Sequence, residues 1–220
     1  MDEGGKDKEY SITIAMWDRV AQQYEEIFMD LDMYNASYDV FCNAVKVSPA
    51  KILEIGCGPG NIARYMLSKR PDFKLNLSDV SPNMLQLARK NIPDAAFILL
   101  DARNIYQLNE KFDGIVCGFC IPYLSMKDVQ RFFSDINRLF NDEGIFYFSL
   151  IEGDHSRSGF ESSSDGKNKS FVYYYDEKFI RNELDKYQFG ILDFQKIKYT
   201  KVNSEEMQQL IFTVKKKSVH

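Results

Sequence analysis

A glycine-rich turn is the segment of this sequence with the clearest potential for ligand chemistry. Three alternating glycines, Gly56, Gly58 and Gly60, follow the apolar run Lys51–Ile55 and precede a helical pattern that begins at Asn61. Glycine lets backbone N–H groups approach a ligand closely, and a helix N-terminus presents unpaired donors. Open α/β sheets also bind ligands at the carboxyl ends of their strands. The turn is therefore a candidate binding loop.

The spacing of these glycines differs from that of the dinucleotide-binding fingerprint. The fingerprint is G-x-G-x-x-G, whereas here the third glycine comes one residue early and Asn61 stands in the expected place. An NAD(P)-dependent oxidoreductase is therefore a less favoured alternative. A purely structural turn is a second alternative.

Two aspartates follow the next two apolar runs and add to the candidate site. Asp79 lies 19 residues after Gly60, and Asp101 follows the third run. A carboxylate at the position of Asp79 can accept both hydroxyls of a ribose. Asp101 can accept from an exocyclic amine such as that of adenine. Helix capping or an ordinary loop position is the alternative for each.

Short apolar runs alternate with helical patterns from Lys51 onward. This alternation predicts βαβ crossovers and a parallel sheet covered on both faces. The last two strands are joined too closely for a crossover helix, so we expect them to form an antiparallel hairpin. The predicted strands are Lys51–Ile55, Phe73–Ser78, Ala96–Leu100, Phe112–Phe119, Gly144–Ile151, Phe189–Thr200 and Gln209–Val214. The predicted helices between them are Asn61–Lys69, Pro82–Asn91, Lys127–Phe140 and Asp176–Lys186.

The sequence predicts helices in the N-terminal region and irregular structure after the fifth strand. Apolar positions with a period near 3.6 predict one helix over Ser11–Phe28. A second helix is expected over Tyr34–Val47, before Pro49. The segment Glu152–Ser170 is rich in Ser, Gly, Asp and Lys, and no element is predicted there.

In combination, these motifs resemble those of class I S-adenosylmethionine-dependent methyltransferases. Glu54–Gly60 is similar to the family's E/D-x-G-x-G-x-G motif, and Ser78–Leu85 is similar to its D-x-S-x-x-M-L motif. Leu100–Ala102 and Phe112–Val116 resemble the third motif and the fourth strand. Asn141–Gly144 departs from the L-x-P-G-G turn, because the proline and the first glycine are missing.

The resemblance implies an α/β, Rossmann-like, doubly wound fold. Its seven-stranded, mostly parallel sheet would have the order 3-2-1-4-5-7-6, with the last strand antiparallel and with an N-terminal helical lid. It implies a single methyltransferase domain over residues 1–220. The lid would take residues 1–47, the cofactor-binding core residues 48–151, and a C-terminal helix and β-hairpin residues 152–220.

S-adenosylmethionine is the cofactor that the resemblance implies. By matching position, Asp79 would hold the ribose and Asp101 the adenine amine, while Glu54 would anchor the glycine loop. Tyr24 matches the tyrosine of an A-x-x-Y lid motif, with a core aromatic as the alternative. The remaining implied cofactor contacts are Gly56, Cys57, Gly58, Gly60, Val80, Ala102 and Gly118.

The expected reaction is direct displacement at the sulfonium methyl by an acceptor whose identity the motifs leave open. Trp17, Phe119 and Tyr123 belong to segments expected around the acceptor. His155, just past the fifth strand, is the first candidate for a general base, with an ordinary loop histidine as the alternative. A protein that binds the cofactor without catalysis is the main alternative function.

Charge and composition favour a small organic acceptor. The chain has 28 Lys and Arg against 32 Asp and Glu, a net charge of −4, which gives no sign of a polyanion-binding surface. We therefore expect no nucleic-acid partner. The N-terminus has no apolar signal region, and no uncharged stretch reaches the roughly 20 residues of a membrane span. We expect a cytoplasmic protein without a membrane partner.

The four cysteines and two histidines suggest neither a disulfide framework nor a metal site. Their spacing matches no metal-ligand pattern, so no metal is expected. Cys117 and Cys120 form a C-x-x-C that could indicate a thiol–disulfide oxidoreductase. However, Cys117 lies inside an apolar strand, and Pro122 prevents an immediate helix. Buried, free thiols are the preferred interpretation.

Overall fold

The alternating apolar and amphipathic segments fold into a layered α/β structure, seen in a computed structural model that describes residues 3–162, 166–200 and 205–217. The helices are α1 (Glu3–Arg19), α2 (Ala21–Phe28), α3 (Asn35–Ala44), α4 (Asn61–Lys69), α5 (Pro82–Asn91), α6 (Met126–Arg138) and α7 (Glu177–Lys186). The strands are β1 (Lys51–Ile55), β2 (Lys74–Asp79), β3 (Ala96–Leu99), β4 (Phe112–Cys117), β5 (Phe140–Ile151), β6 (Gly159–Ser162), β7 (Lys169–Val172), β8 (Phe189–Thr200) and β9 (Glu206–Lys216).

The main sheet has seven strands in the order β3-β2-β1-β4-β5-β9-β8. Strands β1 to β5 run parallel, whereas β9 is antiparallel to both β5 and β8. The predicted sixth and seventh strands are β8 and β9, so the predicted fold class and strand order are confirmed. The C-terminal hairpin inferred from the short connection is also confirmed.

Both faces of the sheet are covered by helices, which explains why its central strands are apolar throughout. Leu53 and Ile55 of β1 join a core with α6 and α7, while Ile52 joins a second core with α3, α4 and α5. All three side chains are essentially buried. Successive apolar side chains of β1 point to opposite faces of the sheet, so the strand requires helices on both faces.

The helix starts beside the sheet follow local sequence signals. The Ser81 side chain accepts a hydrogen bond from the Met84 backbone N–H at 3.0 Å, and Pro82 takes the first position of α5. This is the capping arrangement expected from serine followed by proline. Helix α4 begins after Gly60, which has a φ of +90°. Both helices therefore start at the carboxyl edge of the sheet.

The N-terminal region departs from the predicted single helix. The helix breaks at Val20, which has φ −94° and ψ 10°, so that α1 and α2 run as separate helices. No glycine or proline marks this break in the sequence. Helix α1 packs against β7 and α2 against α5, so tertiary packing sets the change of direction. Helix α3 ends at Ala44, three residues before the predicted end at Val47.

The polar segment after β5 contains a hairpin that the sequence did not predict. Strands β6 and β7 pair antiparallel. The Phe171 backbone N–H of β7 donates to Thr13 Oγ1 of α1 at 2.9 Å. Because this strand is stabilised by a helix 158 residues away in sequence, its local composition gives no strand signal.

The fifth strand begins at Phe140 rather than at the predicted Gly144. Glu143 stands where the family motif has its first glycine, and it adopts a left-handed φ of +62°. That conformation costs a residue with a Cβ about 1–2 kcal/mol. The turn geometry is thus retained without the glycine. Across the described ranges, no helix has the length and apolarity needed to cross a bilayer.

Candidate active site

A cavity opens at the carboxyl ends of β1, β2 and β4, beneath α1 and α2. It has a volume of about 880 Å³, including its open mouth. The sequence-predicted residues in its lining are Trp17, Tyr24, Gly56, Gly58, Asp79, Val80, Asp101, Ala102, Gly118, Phe119 and Tyr123. The lining residues that were not predicted are Tyr10, Thr13, Ile14, Met84, Leu100, Cys120 and Leu124. Glu54, Cys57, Gly60 and His155 were predicted as site residues and do not line the cavity.

The glycine loop forms the floor of the cavity between β1 and α4. Gly56, Gly58 and Gly60 have φ values of +69°, +55° and +90°, a region that residues with a Cβ rarely adopt. The Cys57 backbone N–H donates to the Ser78 carbonyl at 2.9 Å, which ties the loop to β2. Cys57 is itself buried, so its place in the loop is structural.

Asp79 connects the glycine loop to the end of β2. Its Oδ2 accepts from the Gly58 backbone N–H and its Oδ1 accepts from the Ser81 backbone N–H, each at 2.9 Å. Burial raises the pKa of Asp79 above its ordinary value, although both N–H donors oppose this shift. Each oxygen keeps a lone pair for a further donor, so the carboxylate can serve a ligand with two hydroxyls.

Glu54 is a second buried carboxylate near this end of the sheet. Its Oε2 has no hydrogen-bond partner among the described residues, although the side chain is almost fully buried. Burial, followed by the negative charge of Asp79, raises the pKa of Glu54 well above its ordinary value. The Ala63 backbone N–H opposes this rise, but the unpartnered Oε2 is still costly to bury, and a cationic or hydrogen-bonding ligand nearby would relieve that cost.

Asp101 lines the cavity but is already paired. Its Oδ1 accepts from the Arg103 backbone N–H at 2.8 Å, and its Oδ2 lies 2.6 Å from an Arg103 terminal nitrogen. The Arg103 guanidinium in turn stacks 3.9 Å from the centroid of the Tyr10 ring. Sequence reasoning missed Arg103, although its position two residues after the aspartate was the available signal.

Gly118, which follows β4, allows α4 to pack closely against the end of that strand. A Cβ placed at Gly118 would lie 2.4 Å from Ile62 Cδ1 of α4. In the glycine loop, a Cβ on Gly56 would lie 3.1 Å from Cys120 Cβ. Close packing therefore requires glycine at both positions. Both also line the cavity, where their backbone is the part that a ligand can contact.

Comparison with known proteins identifies this arrangement. Residues 52–144 match the family described as methyltransferase domain. A solved S-adenosylmethionine-dependent methyltransferase from Clostridium acetobutylicum superposes with a TM-score of 0.69 at 19% identity, covering 92% of this chain and 99% of that one. The fold is that of the class I S-adenosylmethionine-dependent methyltransferases. The resemblance predicted from the motifs is thereby confirmed.

Two further methyltransferases are similar over most of the sheet. The Burkholderia thailandensis 1,6-didemethyltoxoflavin-N1-methyltransferase structure has a TM-score of 0.71 at 16% identity, covering 97% of this chain and 91% of that one. Demethylmenaquinone methyltransferase of Thermotoga maritima is 27% identical over 64% of this chain. The chain spans 61% of that relative's length, and 52% and 37% of the length of two other curated relatives. These comparisons support S-adenosylmethionine as the cofactor.

Aromatic side chains of the N-terminal helices cover one side of the cavity. The Trp17 ring packs edge-on against Tyr24 and Tyr123, with centroids 5.6 and 5.5 Å apart. Asp18, the next residue, accepts from the Ser81 hydroxyl at 2.6 Å and from the Asn83 backbone N–H at 3.0 Å. Helix α1 is thus fastened to the start of α5, beside Asp79.

His155 lies outside the cavity described above. Its Nδ1 is 3.0 Å from the Tyr174 carbonyl oxygen, and its ring packs beside those of Tyr173 and Tyr175. These contacts hold the imidazole in the C-terminal region rather than toward the glycine loop. Its role as a general base stays a prediction, and this position does not favour it.

The cysteines of the methyltransferase fold are free thiols. Cys42, Cys57 and Cys117 are buried, and Cys120 is half-buried in the cavity wall. Burial raises the pKa of Cys117 well above its ordinary value, which disfavours the thiolate that a redox pair requires. In the part of the chain that the structure describes, no cluster of His, Cys, Asp and Glu is suited to a metal ion.

Proposed function

We propose that the protein transfers the methyl group of S-adenosylmethionine to a small organic acceptor. The observation that carries this proposal is the placement of Asp79. Its carboxylate is held between the Gly58 and Ser81 backbone N–H groups, where the glycine loop meets the end of β2. That is the point at which an open α/β sheet presents its ligand site.

The charges around the cavity fit this cofactor. Asp79 and Asp101 are the charged side chains in the lining, which contains no lysine, arginine or histidine. Glu54 lies close enough to Asp79 to feel its negative charge. The Oε2 atom of Glu54 has no hydrogen-bond partner among the described residues. S-adenosylmethionine carries a sulfonium, an ammonium and one carboxylate, so its net charge is positive and an acidic environment without a competing cation favours it. The two negative charges of a dinucleotide pyrophosphate would be repelled.

Individual residues receive roles within this proposal. Asp79 would accept from the ribose hydroxyls, and Asp101 would share its carboxylate between Arg103 and the adenine amine. The bare backbone at Gly56, Gly58 and Gly118 would leave room for the methionyl portion. Val80 and Ala102 would flank the adenine, while Glu54 would offset positive charge from beyond the cavity wall.

The residues of the chain would act mainly by placement. When bound, S-adenosylmethionine would supply a methyl carbon that an acceptor nucleophile can attack, with the neutral thioether of S-adenosylhomocysteine as leaving group and any proton on the acceptor atom released to solvent. The lid aromatics Trp17, Tyr24 and Tyr123 would exclude water and hold the acceptor in line with that methyl. Such orientation can supply about 7–11 kcal/mol of the barrier reduction. Burial raises the pKa of Tyr24 and Tyr123 well above the ordinary value, so both hydroxyls stay neutral at pH 7.

The acceptor is proposed as a small molecule, on the grounds of the size of the cavity and of the names of two relatives. Those names refer to demethylmenaquinone and to 1,6-didemethyltoxoflavin. We propose residues 1–220 as one functional unit of lid, cofactor core and C-terminal region, since β7 contacts α1. Four free cysteines fit a reducing compartment, so a cytoplasmic location is proposed.

The test is a binding series followed by an acceptor screen. Thermal shift and calorimetry are measured with S-adenosylmethionine, S-adenosylhomocysteine and NAD. The proposal expects the first two ligands to bind and stabilise the protein, and NAD to have no effect. Binding of NAD alone would overturn it. Binding of S-adenosylmethionine without methyl transfer to any screened acceptor would favour a non-catalytic binding protein.

A further inference from the structure

The cavity has a second wall, formed by the lid and by the segment after β4, that faces away from the glycine loop. Its members are Thr13, Ile14, Trp17, Phe119, Tyr123 and Leu124. None of these side chains is charged, and half of them are aromatic. The wall that would contact an acceptor is therefore apolar and rich in flat rings.

Among the residues that the structure describes, the cavity lining contains no lysine, arginine or histidine. Arg103 is the nearest arginine in sequence to the lining residues Asp101 and Ala102, and its guanidinium is held by Asp101 and by the Tyr10 ring. An acceptor with a carboxylate or phosphate would lose its hydration without gaining a counter-ion. It would also approach the carboxylates of Asp79 and Asp101. Burying an unpaired anion under these conditions is strongly unfavourable.

The hydrogen-bonding groups of the wall are mostly occupied. The Thr13 hydroxyl donates to the Glu9 carbonyl and accepts from the Phe171 N–H, both at 2.9 Å. The Tyr10 hydroxyl, at the wall's edge, donates to Asp128 Oδ2 at 2.6 Å and accepts from the Ser125 N–H at 2.8 Å. Neither hydroxyl is therefore free to recognise a polar acceptor.

The indole N–H of Trp17 is the exception. Its Nε1 is buried without a hydrogen-bond acceptor of ordinary geometry among the described residues. Burial raises the pKa of Tyr123, and the Trp17 N–H lies close enough to the Tyr123 hydroxyl to oppose this rise. Together, the two groups offer one N–H donor and one neutral hydroxyl within an otherwise apolar wall. A ligand heteroatom would satisfy the unpaired donor.

We propose that the methyl acceptor is an uncharged, planar ring compound with a ring heteroatom or ring hydroxyl, seated between Trp17 and Tyr123. This inference rests on the proposed methyl transfer. It deepens that function by naming the acceptor class. Anionic acceptors are excluded because the cavity lining presents Asp79 and Asp101 to them and no cation. Trp17 and Tyr123 are then the residues that determine specificity, one by ring contact and N–H donation and the other by its neutral hydroxyl.

The chain provides its own optical probe, because Trp17 is the single tryptophan of the sequence. Wild-type protein is first loaded with S-adenosylhomocysteine, and binding of the loaded ligand is verified by calorimetry. Two matched pairs are then titrated: quinolin-4-ol with its 2-carboxylate, and catechol with 3,4-dihydroxybenzoate. Tryptophan fluorescence and calorimetry are both recorded. We expect the neutral member of at least one pair to bind and quench Trp17, with its carboxylate at least about 100-fold weaker.

A variant with an added positive charge tests the role of charge separately from the preference for a particular ring. Ile14 lines the cavity and is half-buried, whereas Ala15, the next residue of the same helix, is exposed and does not line the cavity. Ile14→Arg should bring the carboxylate to within about 10-fold of its neutral partner, because it supplies the missing counter-ion. Ala15→Arg, the matched control, should leave the preference unchanged. If Ile14→Arg does not fold, the wild-type comparison decides alone.

The outcomes separate the two proposals. No binding of S-adenosylhomocysteine refutes the proposed function itself. Binding of S-adenosylhomocysteine together with equal or tighter binding of the carboxylates overturns the acceptor class and leaves methyl transfer standing. Failure of all four ring probes to bind or to quench Trp17 in the loaded protein also overturns it.

Discussion

The Gly58 backbone N–H donates to Asp79 Oδ2 at 2.9 Å, across 21 residues of sequence. This bond joins the glycine loop after β1 to the carboxylate at the end of β2, so that the position of the loop fixes the position of the carboxylate. Asp79 Oδ1 is held in turn by the Ser81 N–H at the start of α5. The orientation of the carboxylate is thus set before any ligand arrives, which reduces the entropy lost on binding.

Asp79→Asn should weaken binding of S-adenosylmethionine about 10- to 100-fold. The amide cannot accept from two ligand hydroxyls as a carboxylate does, and a hydrogen bond to a charged group contributes about 1.5–3 kcal/mol. Calorimetry measures the change. Asp94→Asn, at an exposed turn, is the control and should bind normally. Equal affinity in both variants would remove Asp79 from the site.

Glu54→Gln should alter how stability depends on pH. Because burial raises the pKa of Glu54 above its ordinary 4.5, the folded protein holds this proton more tightly than the unfolded chain. The free energy of unfolding therefore falls as pH rises above about 4.5, and it continues to fall until the folded-state pKa is passed. The amide has no proton to lose, so the variant lacks this part of the decline.

Urea unfolding of the ligand-free protein at pH 5 and pH 8 measures the effect. Wild type should lose more stability between the two values than Glu54→Gln, and the variant should be the more stable of the two at pH 8. Parallel pH profiles would show that Glu54 is not held in a proton-binding environment.

Gly118→Ala should destabilise the fold by overpacking the contact between the end of β4 and α4. The added methyl would lie 2.4 Å from Ile62 Cδ1, and overpacking of this kind costs about 1–3 kcal/mol. Ile62→Val removes that Cδ1 atom, so the double variant should recover most of the lost stability. Chemical denaturation of the single and double variants provides the test. Additive losses in the double variant would contradict the assigned contact.

Asp18→Ala should loosen the lid. Asp18 accepts from the Ser81 hydroxyl and from the Asn83 N–H, which fastens α1 to α5. Loss of these hydrogen bonds should cost about 1–2 kcal/mol of stability in α1, so that its backbone amides exchange faster with solvent. Cofactor binding should weaken as well. Glu26→Ala changes an exposed carboxylate on α2 and should leave exchange in α1 unchanged. Wild-type protection in Asp18→Ala would show that other contacts hold the lid.

The cofactor side of the cavity was predictable because its determinants are local. The left-handed backbone at Gly56, Gly58 and Gly60 needs glycine, and Asp79 is the last residue of β2, a strand that its apolar positions mark in the sequence. The strand order then follows from alternation and loop length. Even Glu143, which replaces a motif glycine, keeps the left-handed turn, so the departure did not mislead the prediction of the fold.

The acceptor side was only partly predictable, because distant contacts create it. Tyr10 and Thr13 line the cavity because α1 packs against β7, and neither the break at Val20 nor the β6–β7 hairpin has a sequence signal. His155 lies at the predicted position along the chain, but its ring is held by the Tyr174 carbonyl, outside the cavity. Sequence position after a strand does not fix where a loop side chain points.

The most direct test of the central claim is calorimetric titration of the wild-type protein with S-adenosylmethionine and S-adenosylhomocysteine, each repeated with Asp79→Asn. We predict saturable one-to-one binding of both ligands to the wild type, and an affinity about 10- to 100-fold lower in the variant. Absence of binding heat for both ligands at all accessible concentrations, with the protein folded, would contradict it.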